Sequence, residues 1–128
     1  MPMPAFHQQV IFIDVSNLET STTFYRQVLG LPLVLDQGTC RIFRVTETSF
    51  IGVCTGRPPS PEGVIITLVH PDLDAWHTHL IAHGVPIKKA PAFNEKYNIE
   101  HLFAMDPDGY AIEIQCFHDP SWPSVHST

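Results

Sequence analysis

The side chains best suited to acid–base chemistry gather around a tight turn near the C-terminal end of the chain. Asp106–Gly109 has the sequence Asp-Pro-Asp-Gly, which predicts a type I turn followed by a bulge at the glycine. Counting outward from such a turn places Glu113 opposite Phe103. His101 then lies opposite Gln115. One face of the hairpin is therefore predicted to carry an imidazole, a carboxylate and an amide.

Glu113 and His101 are the candidate catalytic residues. Glu113 is predicted either as an exposed carboxylate at a strand end or, within a cleft, as a ligand anchor or general base. His101 is predicted either to form a structural hydrogen bond near Gln115 or to act as the acid–base partner of Glu113. Because each residue has an ordinary structural alternative, we interpret them as a pair.

Further residues are predicted to bind a small molecule, because they lie on the face that points away from the helices or in a loop at its rim. They are Phe12, Asp14, Phe50, Cys54, Tyr97, Asn98, Phe103 and Gln115. Apolar walls with a few polar anchors are typical of pockets for small organic molecules. Tyr97 and Asn98 belong to a predicted loop over Pro91–Asn98, and loops of this length are often lids or binding edges.

Asp14 and Cys54 each have a second interpretation. Asp14 points into the cleft or pairs with an arginine such as Arg41 or Arg44. Cys54 is either a reactive thiol or a small buried side chain, and packing is favoured because no basic residue adjoins it to stabilise a thiolate.

Three histidines lie on the second predicted helix, at His77, His79 and His83. The spacing of His79 and His83 would let both imidazoles reach one metal ion. A solvated helix face is the simpler interpretation, and no metal is assigned to these residues.

These candidates are placed by an internal repeat. Asn17 and Asp72 are predicted N-caps, and Gly30 and Gly84 are predicted left-handed stops, so two helices recur 54 or 55 residues apart. A strand-forming run precedes each helix and three follow it. The predicted strands are Gln9–Val15, Pro32–Asp36, Arg41–Val45 and Ser49–Cys54, then Val64–His70, Pro86–Ala90, Ile99–Met105 and Tyr110–Phe117.

The repeat predicts one domain over residues 1–118, made of two βαβββ modules. The modules span about residues 8–54 and 64–117. A linker rich in proline and glycine joins them over residues 55–63. Residues 119–128 are predicted to form a loosely held C-terminal tail.

The amino-acid composition limits which binding partners and which cellular compartment are expected for this protein. The chain has 128 residues and a net charge of −6, which offers no basic surface for nucleic acid. The N-terminal segment lacks the basic and apolar regions of a secretory signal, and no apolar run is long enough to span a membrane. The three cysteines form no CxxC pair, so we expect free thiols and a cytoplasmic protein.

Two segments resemble the vicinal-oxygen-chelate superfamily of glyoxalases, bleomycin-resistance proteins and extradiol dioxygenases. They are Val15–Leu31, with Asn17-Leu18-Glu19 and Val28-Leu29-Gly30-Leu31, and Phe103–Ile114, with the Asp-Pro-Asp-Gly turn. With the Pro71-Asp72-Leu73 helix start, the resemblance covers roughly Val10–Phe117. It implies an α+β fold in which two βαβββ modules form a curled mixed sheet around a cleft, often in a homodimer.

The resemblance also implies a divalent metal held by His, Glu or Gln side chains from four strands. Carried over one at a time, these positions fall on Val10, Gly52, Ile65 and Glu113. A slip of two residues would replace Gly52 by Phe50 or Cys54. Only Glu113 matches the pattern, and a metal site needs three or more protein ligands. A divalent metal is therefore possible, but no cofactor is assigned.

Two functions fit these features. The first is a homodimeric protein, similar to the bleomycin-resistance branch, that binds a small organic molecule without the full metal site. The second is a lyase, isomerase or dioxygenase resembling lactoylglutathione lyase, in which Glu113 acts as metal ligand or base and a metal or His101 stabilises a developing oxyanion. The missing donors at Val10 and Ile65 favour the first.

Overall fold

The computed structural model describes residues 3–124. The chain forms two compact units, which divide between Glu62 and Gly63. Each unit is a four-stranded mixed sheet with one helical segment, in the order β, α, β, β, β. The α+β fold with two tandem βαβββ modules is therefore confirmed.

The first module has the strand order β1-β4-β3-β2. β1 pairs with β4 in parallel, and the other neighbours are antiparallel. Its elements are β1 (Gln9–Asp14), α1 (Leu18–Thr23) with a π-helical turn (Phe24–Val28), β2 (Leu33–Asp36), β3 (Cys40–Thr46) and β4 (Ser49–Cys54).

The second module repeats this topology with the strand order β5-β8-β7-β6. β5 is parallel to β8, and the remaining pairs are antiparallel. Its elements are β5 (Ile65–Val69), α2 (Leu73–Ala82), β6 (Ile87–Asn94), β7 (Ile99–Met105) and β8 (Ala111–Phe117).

Both helices begin and end at the predicted residues. The side chains of Asn17 and Asp72 each accept a hydrogen bond, of 3.0 Å, from the backbone N–H three residues on, which satisfies one of the free donors of the first turn. Gly30 and Gly84 adopt φ of 73° and 71°, a conformation that costs glycine little. These caps fix where each helix begins and ends.

The β7–β8 hairpin has the predicted register. Phe103 pairs with Glu113 and His101 with Gln115, and the Asp106 side chain accepts from the backbone N–H groups of the turn. The intervening residues form the core beneath α2, because their side chains are less than 2% exposed. They are Leu102, Ala104, Ile112 and Ile114.

The prediction of a loop over Pro91–Asn98 is wrong for the first half of that segment. Residues 91–94 belong to β6, where Phe93 pairs with Glu100 and Asn94 with Ile99. Pro91 fits into this strand because β6 is at the sheet edge and its register shifts between Lys89 and Ala92, so a missing N–H breaks no ladder. A short turn remains between β6 and β7.

The two modules place different side chains at equivalent register positions. In the first module Phe12 pairs with Gly52 and Cys40 with Cys54. In the second module the corresponding pairs are Thr67 with Glu113 and His101 with Gln115. Polar side chains thus occupy these positions in the second module, whereas the first module has a phenylalanine, a glycine and two cysteines there.

The expectation of three free thiols is wrong, because Cys40 and Cys54 form a disulfide. The two residues lie directly opposite each other on adjacent antiparallel strands. Only Cys116 is a free cysteine in the described part of the chain. The cysteine content therefore no longer argues for a reducing compartment.

A charged cluster on the first module gives a prediction for acid stability. Arg41 contacts Glu19 at 2.8 Å and Asp36 at 3.2 Å, and the hydrogen bond from Arg41, followed by its charge, lowers the pKa of Glu19 below the usual 4.5. The resulting stabilisation is present above pH 4.5 and is lost as the pH falls through the lowered pKa.

Arg41→Gln should therefore destabilise the protein slightly at neutral pH and reduce its loss of stability on acidification. The effect will be small, because Glu19 is 78% exposed. Urea unfolding at several pH values between about 3 and 6 measures it, with Arg26→Gln as the control. Equal pH dependence in both variants would contradict the prediction.

No helix within residues 3–124 has the length and apolar character needed to cross a bilayer.

Candidate functional site

The two candidate catalytic residues are in contact on the second module. His101 Nδ1 lies 2.6 Å from Glu113 Oε2, and the side chains are only 8% and 11% exposed. The hydroxyl of Thr67, on the neighbouring strand β5, donates to Glu113 Oε1 at 2.7 Å. Both carboxylate oxygens therefore accept a hydrogen bond from the protein, which holds Glu113 in one orientation.

The second nitrogen of His101 is also engaged. With Nδ1–H donating to Glu113, Nε2 carries a lone pair that accepts from the ammonium of Lys89, and the two nitrogens are 3.3 Å apart. The imidazole contacts the ring of Phe103 edge-on, with 5.1 Å between centroids. Thr67, Glu113, His101 and Lys89 thus form a continuous chain of polar contacts across all four strands of the sheet, from β5 through β8 and β7 to β6.

His101 and Glu113 form part of the lining of a pocket of about 540 Å³. Its other lining side chains are mainly aromatic or aliphatic, with two amides, the hydroxyl of Ser121 and the carboxylate of Asp119. They are Ile65, Asn94, Tyr97, Ile99, Phe103, Gln115, Phe117, Asp119, Ser121 and Trp122. The volume and the mixed lining are those of a site for a small organic molecule.

The segment after β8 forms one wall of this pocket. The Trp122 ring stacks on Phe117 with 3.7 Å between centroids and 13° between planes. A turn supports the stack, since the backbone N–H of Trp122 donates to the Asp119 carbonyl at 3.0 Å. The tail predicted over residues 119–128 thus contributes pocket residues, and Val125–Thr128 lie outside the described residues.

The predicted binding residues divide between the two modules. Tyr97, Phe103 and Gln115 line the pocket with the His101–Glu113 pair, whereas Asn98 adopts a positive φ of 53° in the turn beside it. In the first module the predicted residues Phe12, Asp14 and Cys54 line a second pocket of about 580 Å³. Phe50 is 9% exposed and lies beneath Arg44, whose guanidinium carbon is 5.0 Å from its ring centroid.

Thr67, Lys89, Asn94 and Trp122 were not predicted from the sequence. Thr67 follows from the parallel register of β5 and β8, which no turn defines. Lys89 reaches His101 from the bulged edge strand. The internal repeat points to Thr67, because it aligns this residue with Phe12, a predicted binding residue.

His79 and the C-cap residue His83 form an aromatic cluster with Trp76, and none of the three lines this pocket. The rings of His79 and His83 are 4.3 Å apart, and the His79 ring is 5.3 Å from Trp76. Within residues 3–124, no group of three or more His, Cys, Asp or Glu side chains is arranged to hold a metal ion.

Comparison with protein families finds a match to the Glyoxalase/Bleomycin resistance protein/Dioxygenase superfamily over residues 7–114. The chain belongs to this superfamily. A comparison with functionally curated proteins finds no match. The superfamily assignment confirms the resemblance inferred from the two motif segments, and it leaves the ligand and the reaction open, because one fold hosts many functions.

Several solved structures share this fold at low sequence identity to the chain. A glyoxalase/bleomycin resistance protein/dioxygenase from Nocardioides has a TM-score of 0.76 at 16% identity, covering 99% of this chain and 93% of its own. Lactoylglutathione lyase from Agrobacterium tumefaciens has a TM-score of 0.69 at 18% identity, with 90% and 95% covered. A virulence protein from Salmonella typhimurium has a TM-score of 0.72 at 19% identity, with 90% and 99% covered.

The metal that the superfamily resemblance implies does not fit these residues. Val10 and Ile65 have no donor atom. At Gly52 a Cβ would clash with the ring of Phe12, so this ring occupies the space beside the second position. Glu113 is the remaining donor, and its oxygens already bind Thr67 and His101. A metal centre would need ligands that these positions do not supply.

Proposed function

We propose that this protein binds a small, partly aromatic organic molecule in the pocket of the second module. The observation that supports this most is the buried His101–Glu113 pair in the lining of a mainly apolar pocket. Burying such a pair costs desolvation free energy, and a ligand with a matching polar group would contact it. The aromatic rings of Phe103, Phe117 and Trp122 would hold the flat part of the ligand.

The ligand is expected to carry a hydrogen-bonding group at one end. That end faces the Gln115 amide and the His101–Glu113 pair, where a donor or acceptor finds a partner. Its apolar end lies against the stacked rings of Phe117 and Trp122. This arrangement favours a flat molecule of the size of a substituted bicyclic aromatic compound.

Trp122 gives the direct test. Naphthalene derivatives with hydroxyl, ammonium and carboxylate substituents are titrated into the labelled protein, and the two indole N–H resonances are followed by NMR. The Trp122 resonance should shift, whereas Trp76, in the His79 cluster on α2, should not. Trp122→Ala should weaken binding roughly tenfold, which corresponds to about 1.4 kcal/mol of lost aromatic contact.

Trp76→Ala is the matched control and should leave the affinity unchanged. Equal weakening by both substitutions, or probe-induced shifts confined to Trp76, would contradict a site at the His101–Glu113 pocket. Failure of all three probes to bind would count against the flat aromatic ligand class.

An enzyme is the second candidate, and the 2.6 Å contact between His101 and Glu113 favours it. A carboxylate that fixes one nitrogen of an imidazole prepares the other as a general base. Nε2 would become available for that role once the Lys89 ammonium, 3.3 Å away, turned to the substrate, where it would stabilise a developing negative charge. Glu113→Gln separates the two candidates once a ligand is known. A catalytic role predicts loss of most of the rate, whereas an anchor predicts loss of about 1–3 kcal/mol of binding.

Elemental composition of protein purified without a metal-binding tag tests the metal-dependent form of the enzyme. We expect less than stoichiometric metal after incubation with Ni²⁺, Zn²⁺, Mn²⁺ or Fe²⁺, because the implied positions supply one donor. One tightly bound metal ion per chain would overturn this expectation and favour a lyase or dioxygenase.

The homodimer and the cytoplasmic location also remain predictions. Exposed apolar side chains on the edge strands β1 and β5, at Phe12, Ile65 and Val69, would be covered in a dimer, which supports association. Light scattering during size-exclusion chromatography measures the mass directly. Alkylation of cysteines in intact cells would report the compartment, because a cytoplasmic pool keeps accessible disulfides reduced.

A further inference from the structure

The first module contains a disulfide that the proposed ligand pocket does not involve. Cys40 and Cys54 lie on the face of the sheet that carries Phe12 and Asp14. Both cysteines are half-buried, and both line the first-module pocket of about 580 Å³. The sulfurs therefore adjoin an open cavity large enough for a small molecule.

The same cavity contains one cation and one anion. Arg57 follows β4 by three residues and lines the cavity together with Asp14. The interpretation of Cys54 as a packing residue assumed that no basic residue adjoined it, and Arg57 corrects this. A guanidinium near a disulfide stabilises a departing thiolate and attracts an anionic attacking thiol.

We propose that the Cys40–Cys54 disulfide is an exchange site for small anionic thiols, which goes beyond the proposed ligand binding by the second module. A thiolate attacks one cysteine sulfur and forms a new S–S bond to it. The Cys40–Cys54 bond breaks, and the other cysteine leaves as a thiolate with the bonding electron pair. The product is a mixed disulfide at one cysteine.

A second equivalent of thiolate completes the reduction. It attacks the mixed disulfide, so that the small thiol leaves as its own oxidised dimer and both cysteines remain as thiolates. Two electrons pass from two thiols to the protein disulfide. The reverse sequence, with an oxidised small thiol as reactant, restores the Cys40–Cys54 bond.

Arg57 and Asp14 determine which thiol reacts best. An anionic thiol gains attraction to Arg57, whereas Asp14 opposes it and favours a cationic thiol. Because Arg57 belongs to an exposed loop, its side chain can follow the incoming group as it approaches the sulfurs. The site should therefore prefer a thiol that carries a carboxylate or sulfonate.

The test compares three thiols of equal chain length on the oxidised full-length protein. They are 2-mercaptoethanesulfonate, 2-mercaptoethanol and cysteamine. Acid-quenched samples are alkylated and mapped by mass spectrometry, which separates Cys40 and Cys54 from Cys116. Each rate is divided by the rate of the same thiol with 2-hydroxyethyl disulfide at the same pH, which removes differences in both thiolate fraction and intrinsic reactivity.

The normalised rate for the sulfonate should exceed that for cysteamine about five- to tenfold in the native protein. Arg57→Gln should lower the ratio to unity or below, because Asp14 then acts alone, and Asp14→Asn should increase it. Arg26→Gln, the same substitution on an exposed helical arginine outside the cavity, should leave it unchanged. The proposal would be overturned if the ratio were identical in the native protein and Arg57→Gln, or if the native protein preferred cysteamine. Three free thiols in the air-oxidised native protein would overturn it as well.

Discussion

Glu113→Leu is expected to lower the free energy of unfolding by about 3–5 kcal/mol, whereas His101→Leu combined with Glu113→Leu should recover most of that loss. The single variant leaves the imidazole N–H of His101 buried opposite an apolar side chain, and an unpaired buried polar group is costly. The double variant removes both partners, and replacing a buried pair by apolar residues is often neutral or stabilising by about 1–4 kcal/mol.

Urea unfolding of the native protein, the two single variants and the double variant measures this cycle. Glu113→Gln is the matched control, because it keeps the volume and an acceptor oxygen for Thr67 or His101. Ligand titration of the same proteins then separates structure from function. A double variant that is as stable as the native protein but binds no ligand would indicate that the pair is retained for the site.

A double variant that stays unstable would assign the pair a structural role. If the double variant unfolds as readily as Glu113→Leu, the pair serves chiefly to hold β7 and β8 together. The ligand anchor would then be sought among other pocket residues such as Gln115 and Asn94.

Reduction of the Cys40–Cys54 disulfide is expected to lower the free energy of unfolding of the first module by about 3 kcal/mol. The two cysteines are 14 residues apart in sequence, and closing a loop of that length removes about this much chain entropy from the unfolded state. Urea unfolding with and without dithiothreitol measures the difference. Cys40→Ser should abolish the response to dithiothreitol, and Cys116→Ser should retain it.

The choice of probe decides whether this effect is seen. Both tryptophans, Trp76 and Trp122, belong to the second unit, so tryptophan fluorescence does not report on the first. Far-ultraviolet circular dichroism and hydrogen exchange of β3 and β4 amides do. Unchanged exchange in these strands after reduction would show that the disulfide adds no stability.

The fold was predictable where local signals fix geometry. A proline and a glycine in the Asp106–Gly109 turn set the register of the whole β7–β8 hairpin, and this register alone brings His101 and Glu113 onto one face. Asparagine and aspartate caps with terminal glycines located both helices. The repeat then gave the two modules, because one supersecondary unit occurs twice in the chain.

The remaining parts of the site depend on long-range geometry that no short segment encodes. Thr67 contacts Glu113 because β5 and β8 are parallel neighbours, although the two residues are 46 positions apart in sequence. The disulfide depends on a bulge, since the register of β3 and β4 shifts between Arg44 and Thr46. Without that shift Cys54 would lie opposite Arg41. A bulge of this kind leaves no clear signal in the sequence, and free thiols were expected because the three cysteines form no CxxC pair.

The edge strand β6 limits how this protein can associate with other chains. Lys88 and Lys89 and the nearby Pro91 lie on the exposed margin of the second sheet, and the register shifts twice along the strand. Charge, a missing N–H and irregular pairing each disfavour the docking of another strand, and together they protect the sheet from edge-to-edge aggregation. Any main-chain pairing with a second chain is therefore expected at the opposite margin, β5, and Lys89 protects an edge as well as contacting His101.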